Sequence, residues 1–352
     1  MPSAKIDAIA LEAIAARIFP GAVVYAQRAG RVVQHTAYGT TMYGDPGSLP
    51  VVLDTIYDIA SLTKPVTATA ALILCDSGQI RLDDPVAHFV STMRSREVTV
   101  RHLLTHSSGM DLRLSALRES DAAAIRAAAY ALTPDSPPGS LTMYANMSSL
   151  LLGDVVAAVF GAPLDVVISE LILGPLGMAD TCFRPPAHLQ TRIAPTEWDL
   201  EWRGGVVHGV VHDESAYALG GVAGHAGLFS TAADMARFAA LWLQGGAWGG
   251  HQIVHEATVA LALRDHTGHM ATAIGQPLHS GLGWMRDRPS FMGAAPPGSI
   301  GHTGFTGPAL IFLPAAHTAL VILNNRTYPR RTPPPYPHHT VTAAIMGELL
   351  AG

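Results

Sequence analysis

The chain has 352 residues, 49% of them hydrophobic and 14% charged, with a net charge of −5 at pH 7. That length and apolar content suit a soluble globular protein with a large core and room for two lobes. Its basic residues form no run, so nucleic acid is excluded as a partner for want of phosphate neutralisation, and apolar stretches such as Ala70 to Cys75 and Val155 to Phe160 are far shorter than the roughly 20 residues of a membrane-spanning helix.

Ile6, Ile9, Ala10, Ala13, Ile14 and Ile18 recur at helical spacing, and Pro20-Gly21 stops the pattern, which predicts an amphipathic opening helix. The segment Met1 to Arg17 carries Lys5, Asp7 and Glu12 and lacks the continuous apolar centre of a secretory signal, so a cytoplasmic location is expected. A leader already removed, for a periplasmic or secreted protein, would leave the same sequence. Ala22 to Gln27 and Arg31 to Ala37, separated by Arg28-Ala29-Gly30, predict an antiparallel hairpin. Pro65 fits only the first turn of a helix, so a helix is expected from about Ser61 to Ser77, stopped by Gly78. Its residues Val66, Ala70, Leu72, Ile73, Leu74 and Cys75 are apolar almost all round, the pattern of a helix buried on every side.

From Asp83 to about Ser280 the pattern is mostly helical, with pieces near Val98 to Leu104, Ala122 to Leu132, Ser148 to Val159, Leu164 to Leu173 and Thr231 to Gln244, the last with Thr231 and Asp234 placed as a capping box. Strand signals return at Leu282 to Met285, Ser299 to His302, Ala309 to Leu313 and Thr318 to Leu323, before a closing helix around Thr340 to Leu350. Sheet segments flanking a helical middle imply an α/β plus α fold with one antiparallel sheet assembled from both chain ends. The expected lobes are residues 1–80 with 281–352, and residues 81–280, forming a single catalytic unit with a cleft where they meet. Cys75 and Cys182 make no disulfide framework and are expected to be buried thiols.

Chemistry enters with the lysines. There are two, Lys5 and Lys64, against twenty arginines, and Lys64 lies three residues after Ser61 in Ile59-Ala60-Ser61-Leu62-Thr63-Lys64-Pro65. A guanidinium stays protonated in proteins, whereas a partly buried amine can lose its proton and act as a base. With twenty serines in the chain, a given lysine has roughly a one in eighteen chance of that neighbour, so the pair alone is only suggestive. Tyr144-Ala145-Asn146, which uses one of three asparagines, and Gly301-His302-Thr303-Gly304 then follow in order.

Ser-x-x-Lys, Tyr-x-Asn and a Lys/His-Thr-Gly triplet in this order resemble the penicillin-recognising serine hydrolases, in particular their class C β-lactamase-like branch. The similarity extends to Leu82-Asp83-Asp84-Pro85-Val86, to Thr99 through Gly109, and to Gly220 through Thr231, so it covers most of the chain. The resemblance implies the β-lactamase/transpeptidase-like fold. It also implies that Ser61 is the acylated nucleophile, Lys64 its base, and Tyr144 the shuttle that carries a proton to the leaving group or assists the attacking water. Asn146 would orient Lys64 and the substrate amide, His302, Thr303 and Gly304 would bind substrate, and the backbone N–H groups of Ser61 and Phe305 would form the oxyanion hole. Neither a cofactor nor a metal is called for; the partner is a small-molecule or peptide substrate.

Many members of that superfamily carry lysine where this chain has His302. With an unperturbed pKa near 6.5, histidine would supply part of a cation at neutral pH. This places a carboxylic ester or peptide/amide hydrolase ahead of a dedicated β-lactamase, with a cell-wall D,D-peptidase or muropeptide amidase as the close alternative. A catalytically silent binding protein on the same scaffold is the reading from another class, and retention of all three motifs argues against it. His208, His212, Asp213 and His225 crowd one glycine-rich segment without standard metal-ligand spacing, and His255-Glu256 lacks the second histidine of a zinc-protease helix, so polar ordering of a loop beside the cleft is expected. His106, next to Ser107 and Ser108, is expected to cap a helix.

Overall fold

In the computed structural model, which describes residues 3–272, 275 and 278–352, helix α1 (Ala4–Ala15) leads into a hairpin of β1 (Gly21–Arg28) and β2 (Arg31–Gly39). Its two loop residues, Ala29 and Gly30, have φ of 48° and 76°, the left-handed pair that matches the twist of the flanking strands. Three long helices follow in the middle of the chain: α2 (Thr63–Asp76), α3 (Asn146–Phe160) and α4 (Ala232–Leu243). The chain then returns through β3 (Met285–Arg286), β4 (Ile300–Thr303), β5 (Ala309–Leu313), β6 (Thr318–Asn324) and α5 (Pro337–Ala351).

The sheet has the order β3-β4-β5-β6-β1-β2 with every neighbour antiparallel. The two chain ends therefore meet at β6 and β1, where Val24 pairs with Ile322. Every residue of β6 is buried, because both faces of the sheet are covered and alternate side chains feed different cores. Leu320 and Ile322 join Val24, Ala26 and Ile311 under α1 and α5, against Ile6, Ala10, Ile345 and Leu349. Val321 and Leu323 face the other way, into the core that holds Val23, Leu310, Phe312 and Phe238 of α4. Each such side chain contributes about 2 kcal/mol by leaving water, so this shared strand fixes the register of both halves.

Helix α2 is buried along nearly its whole length and packs on α3, as its all-round apolar sequence requires. Two local expectations shift. The strand expected at Leu282 to Met285 starts only at Met285, because Gly283 takes φ of 80° and its N–H is bound to the Leu104 carbonyl, which breaks the extended run. The helix expected through Leu173 is α-helical to Ile168 and then opens into a π turn, Ser169–Leu173, just before Pro175, which has no N–H to give the ladder. Cys75 and Cys182 are free and only partly buried. Among the described residues no single helix is long and apolar enough to cross a membrane.

The loop from Gly220 to Gly227 lies directly on α3. A Cβ on Gly224 would sit 2.0 Å from the Ser149 carbonyl oxygen and 3.0 Å from the Gly153 nitrogen, whereas a Cβ on Gly347, inside α5, would meet nothing within 4 Å. Gly224→Ala should therefore lower stability by about 1–3 kcal/mol through overpacking, and Gly347→Ala should raise it by up to about 1 kcal/mol by stiffening the helix. Denaturant melts of the two variants against the parent chain check both signs.

Candidate active site

Ser61 sits in a single 3₁₀ turn, Ala60–Leu62, that feeds α2. Ala60 before it has φ of 45°, a left-handed conformation that costs a non-glycine residue roughly 1 kcal/mol or more. Asp58 holds it there. One carboxylate oxygen accepts the Ala60 N–H at 2.8 Å, the other accepts the His212 N–H at 2.7 Å, and the Asp58 carbonyl accepts the Thr306 hydroxyl at 2.7 Å. Burial raises the pKa of this carboxyl, against the two N–H bonds that favour its charged form. The turn thus aims Ser61 into the cleft.

Lys64 follows one turn later on the same face. Its Nζ lies 2.8 Å from Ser61 Oγ and donates to the His225 carbonyl at 3.1 Å, and the side chain is 2% exposed. The Tyr144 ring is 5.0 Å from that Nζ and lies near two imidazoles, His106 at 4.8 Å and His302 at 5.9 Å between ring centroids. Asn146 opens α3 and donates its amide to Asp213 Oδ2 at 3.4 Å. Its link to Lys64 is therefore indirect. Asp213 also takes bonds from Ser215 Oγ, the Ala216 N–H and His225 Nε2, and it is the His225 carbonyl that holds Lys64. Burial would raise the Asp213 pKa, but the charge of His225 and this set of donors outweigh it and hold the carboxyl well below the usual range.

The third motif reaches the site from the end of β4. A Cβ on Gly304 would lie 2.5 Å from the Ile59 carbonyl, so only glycine lets this strand approach the Ser61 turn, and the Thr306 hydroxyl fastens it to Asp58. Phe305 stacks on His212 at 5.7 Å, lies 4.6 Å from the Arg326 guanidinium, and gives its carbonyl to Arg326 Nε at 2.8 Å. Ser61, Tyr144, Asn146, Thr303, Gly304 and Phe305 all line one open cleft of about 460 Å³.

His302 departs from expectation. Its ring is 2% exposed and lines a separate cavity of about 180 Å³ with His106, Trp284 and Arg288, while its Nδ1 lies 2.9 Å from the Thr303 carbonyl. Burial, and then the Lys64 charge, push its pKa down to about 3. The partial cation expected of it at neutral pH is thus missing, because burial and the nearby Lys64 charge both disfavour the imidazolium.

The crowded histidines each have a protein partner: His208 Nε2 is 2.8 Å from the Ile193 carbonyl, His212 Nε2 is 2.8 Å from Glu197, and His225 bonds Ser215 and Asp213. Among the described residues no three His, Cys, Asp or Glu side chains converge in a metal-holding group. Sequence reading missed Arg326, Tyr336, His338 and His339, which line the cleft from beyond β6 and the start of α5. The one available signal was the abrupt change from the apolar β6 to the polar run Asn324-Asn325-Arg326. A serine hydroxyl at hydrogen-bond distance from a buried amine, with a phenol beside them, is equipped for nucleophilic acyl transfer.

A family model described as Beta-lactamase matches residues 6–342. A provisionally named D-alanyl-D-alanine carboxypeptidase of Escherichia coli O157:H7 is 31% identical over 351 aligned positions, covering 88% of this chain and 79% of that protein. The solved structure of EstCE1, a hydrolase with promiscuous acyltransferase activity, superimposes with a TM-score of 0.78 at 23% identity, covering 97% of this chain and 98% of that one. A class C beta-lactamase in complex with cefoxitin superimposes with a TM-score of 0.76 at 20% identity, with 98% of each chain covered.

Two pH experiments follow from the buried rings. His302 and His338 are each 2% exposed, with pKa values pushed down to about 3 and about 2, for His338 by burial and then by His339 and Arg326. In the unfolded chain each titrates near 6.5, so below that pH the unfolded chain binds protons that the folded one refuses. Stability is full above about pH 6.5 and falls as the pH drops toward 3, by up to about 1.4 kcal/mol per pH unit for each ring. The melting temperature should decline steadily from pH 7 to pH 5, and His338→Phe should flatten that decline. Secondly, because His302 stays neutral, the ratio of kcat/KM for a carboxylate-bearing ester to that for its neutral analogue should owe nothing to His302; His302→Asn should leave the shape of its pH dependence between about pH 5.5 and 8 unchanged.

Proposed function

The chain belongs to the beta-lactamase family, and from that premise we propose that Ser61 is the acylated nucleophile of a serine hydrolase that works through an acyl-enzyme on a carboxylic ester or a peptide-type amide. The observation that carries this reading is the 2.8 Å contact between Lys64 Nζ and Ser61 Oγ, with the amine buried and tied to the His225 carbonyl. As a neutral amine, Lys64 would keep one N–H on that carbonyl, which leaves its lone pair directed at the Ser61 hydroxyl. It takes the proton as Oγ attacks the substrate carbonyl. The charge that develops on the carbonyl oxygen meets the backbone N–H groups of Ser61 and Phe305, donors held in place before the reaction begins.

Collapse of the tetrahedral intermediate breaks the bond to the alcohol or amine, and Tyr144, beside Lys64, passes a proton to that leaving group. Water then attacks the acyl-enzyme, giving up its proton along the same route in reverse, and Ser61 and Lys64 regain their starting states. In this reading the first and last parts of the chain, residues 1–80 and 281–352, supply nucleophile, base and third motif. Residues 81–280 supply Tyr144, Asn146 and the loop that orients Lys64.

An ester or peptide substrate ranks above a β-lactam because the third motif has no fixed cation: His302 is neutral and lies in the second cavity. The similar protein named for a carboxypeptidase supports the peptide-type class. The deciding test is intact-mass spectrometry of the wild-type protein and Ser61→Ala after mixing with p-nitrophenyl acetate or a penicillin. An acetyl adduct on wild type only, with turnover in Ser61→Ala lower by about 10³-fold or more, is the expected result. A persistent penicillin adduct as well would move the substrate toward cell-wall peptides. Equal ester turnover in the two proteins would sink the reading.

A further inference from the structure

His106 has no part in the chemistry derived so far, yet the segment carrying Tyr144 hangs on it. The helix Val100–Leu104 ends just before it, and His106 takes φ of 53°, a left-handed conformation in which histidine is enriched several-fold among non-glycine residues. Its carbonyl accepts the Met143 N–H at 2.9 Å, and its ring Nδ1 accepts the Ala145 N–H at 3.3 Å. The residues on either side of Tyr144 are therefore both bonded to this one histidine, whose ring also lies against the Tyr144 ring at 4.8 Å and 36°.

The base beneath it is firm. The Ser107 N–H returns to the His102 carbonyl, the Ser107 carbonyl accepts the Gly139 N–H, and the hydroxyls of Thr105 and Ser107 meet at 2.7 Å. Residues 143–145, by contrast, lie between a two-residue strand, Leu141–Thr142, and the first residue of α3, with no sheet or helix of their own to set the angle of the phenol. Nδ1 can accept only if the ring is neutral with its proton on Nε2. Burial first and the Lys64 charge second push the His106 pKa down to about 3, which keeps the ring neutral, and the Ala145 N–H then selects the tautomer with Nδ1 free to accept.

We propose that His106 is a positioning residue for Tyr144: it fixes the backbone on both sides of the phenol and packs against its ring, which holds the phenol in the cleft with its ring 5.0 Å from Lys64 Nζ. This rests on the reading of Tyr144 as the proton shuttle. A group displaced by about 1 Å can cost about 10²-fold in rate, and that is the scale of the expected effect.

The test is a double-mutant cycle read by the rate of acyl-enzyme formation from a simple ethyl ester, followed by rapid-quench intact mass spectrometry, because an alkoxide leaving group, unlike p-nitrophenolate, must take a proton as it departs. The proteins are wild type, His106→Gly, His106→Asn, Tyr144→Phe and each His106 change combined with Tyr144→Phe, with melting temperatures recorded for all. Glycine accepts the left-handed backbone but removes ring and acceptor; asparagine also tolerates that backbone and returns an acceptor. His106→Gly should lower the acylation rate about 10²-fold with little change in KM, His106→Asn should recover part of it, and either change should be nearly silent once Tyr144 is phenylalanine. A folded His106→Gly that acylates at the wild-type rate, or a loss that multiplies undiminished onto Tyr144→Phe, overturns the proposal. If Tyr144→Phe alone has no effect, the shuttle reading falls and takes this proposal with it. If Tyr144→Phe is impaired and His106→Gly is not, only the positioning role falls. Should His106→Gly fail to fold, the His106→Asn pair carries the same cycle.

Discussion

A single buried carboxylate, Asp58, holds the site together. It lies at the end of a two-residue strand and reaches three parts of the chain: the Ala60 N–H next door, the His212 N–H some 150 residues on, and, through its own carbonyl, the Thr306 hydroxyl near the C-terminus. Taking a carboxylate out of water is costly unless donors replace the lost hydration, and here two backbone N–H groups do so. Each of those donors belongs to a segment the cleft needs. The Ala60 bond stabilises the left-handed turn that presents Ser61, the His212 bond anchors the loop leading to Asp213, and the Thr306 bond draws the third motif against Ser61. Glycine at 304 completes the fit, since the Ile59 carbonyl leaves no room for a side chain.

Around the Ser61–Lys64 pair the structure limits competing charge. The two imidazoles near Tyr144, those of His106 and His302, are both held neutral, by burial first and then by the charge Lys64 carries when protonated, so neither ring adds a second cation beside that amine. Negative charge is kept one step away: Asp213 bonds the His225 ring, and only the carbonyl of His225 touches Lys64. A direct carboxylate contact would stabilise the protonated amine and oppose its use as a base. A carbonyl orients the amine without that penalty. The same loop carries Gly224 tight against α3, so the position of the Lys64 acceptor is tied to helix packing in the core.

Elements with strong local signals were legible in sequence. The hairpin turned on Ala29-Gly30, the all-round apolar α2 was buried as its composition required, and Thr231 caps α4 by accepting the Asp234 N–H. The Leu282 to Met285 strand was misplaced because one glycine at positive φ redirected the chain, and a glycine's φ is set by its tertiary partners, here the Leu104 carbonyl. Arg326, Tyr336, His338 and His339 were invisible as cleft residues, since nothing local shows that the turn after β6 and the start of α5 fold back over Phe305.

By itself the sequence determined the order of elements, the sheet built from both chain ends, and the pairing of Ser61 with Lys64: a spacing of three residues on a helical turn puts them on a common face. Only the tertiary structure decided the charge state of His302, the indirect link from Asn146 to Lys64, and the seating of Tyr144 on His106. Those depend on burial and on partners dozens to hundreds of residues apart, and a pKa or a hydrogen bond made across such distances has no trace in local composition or spacing.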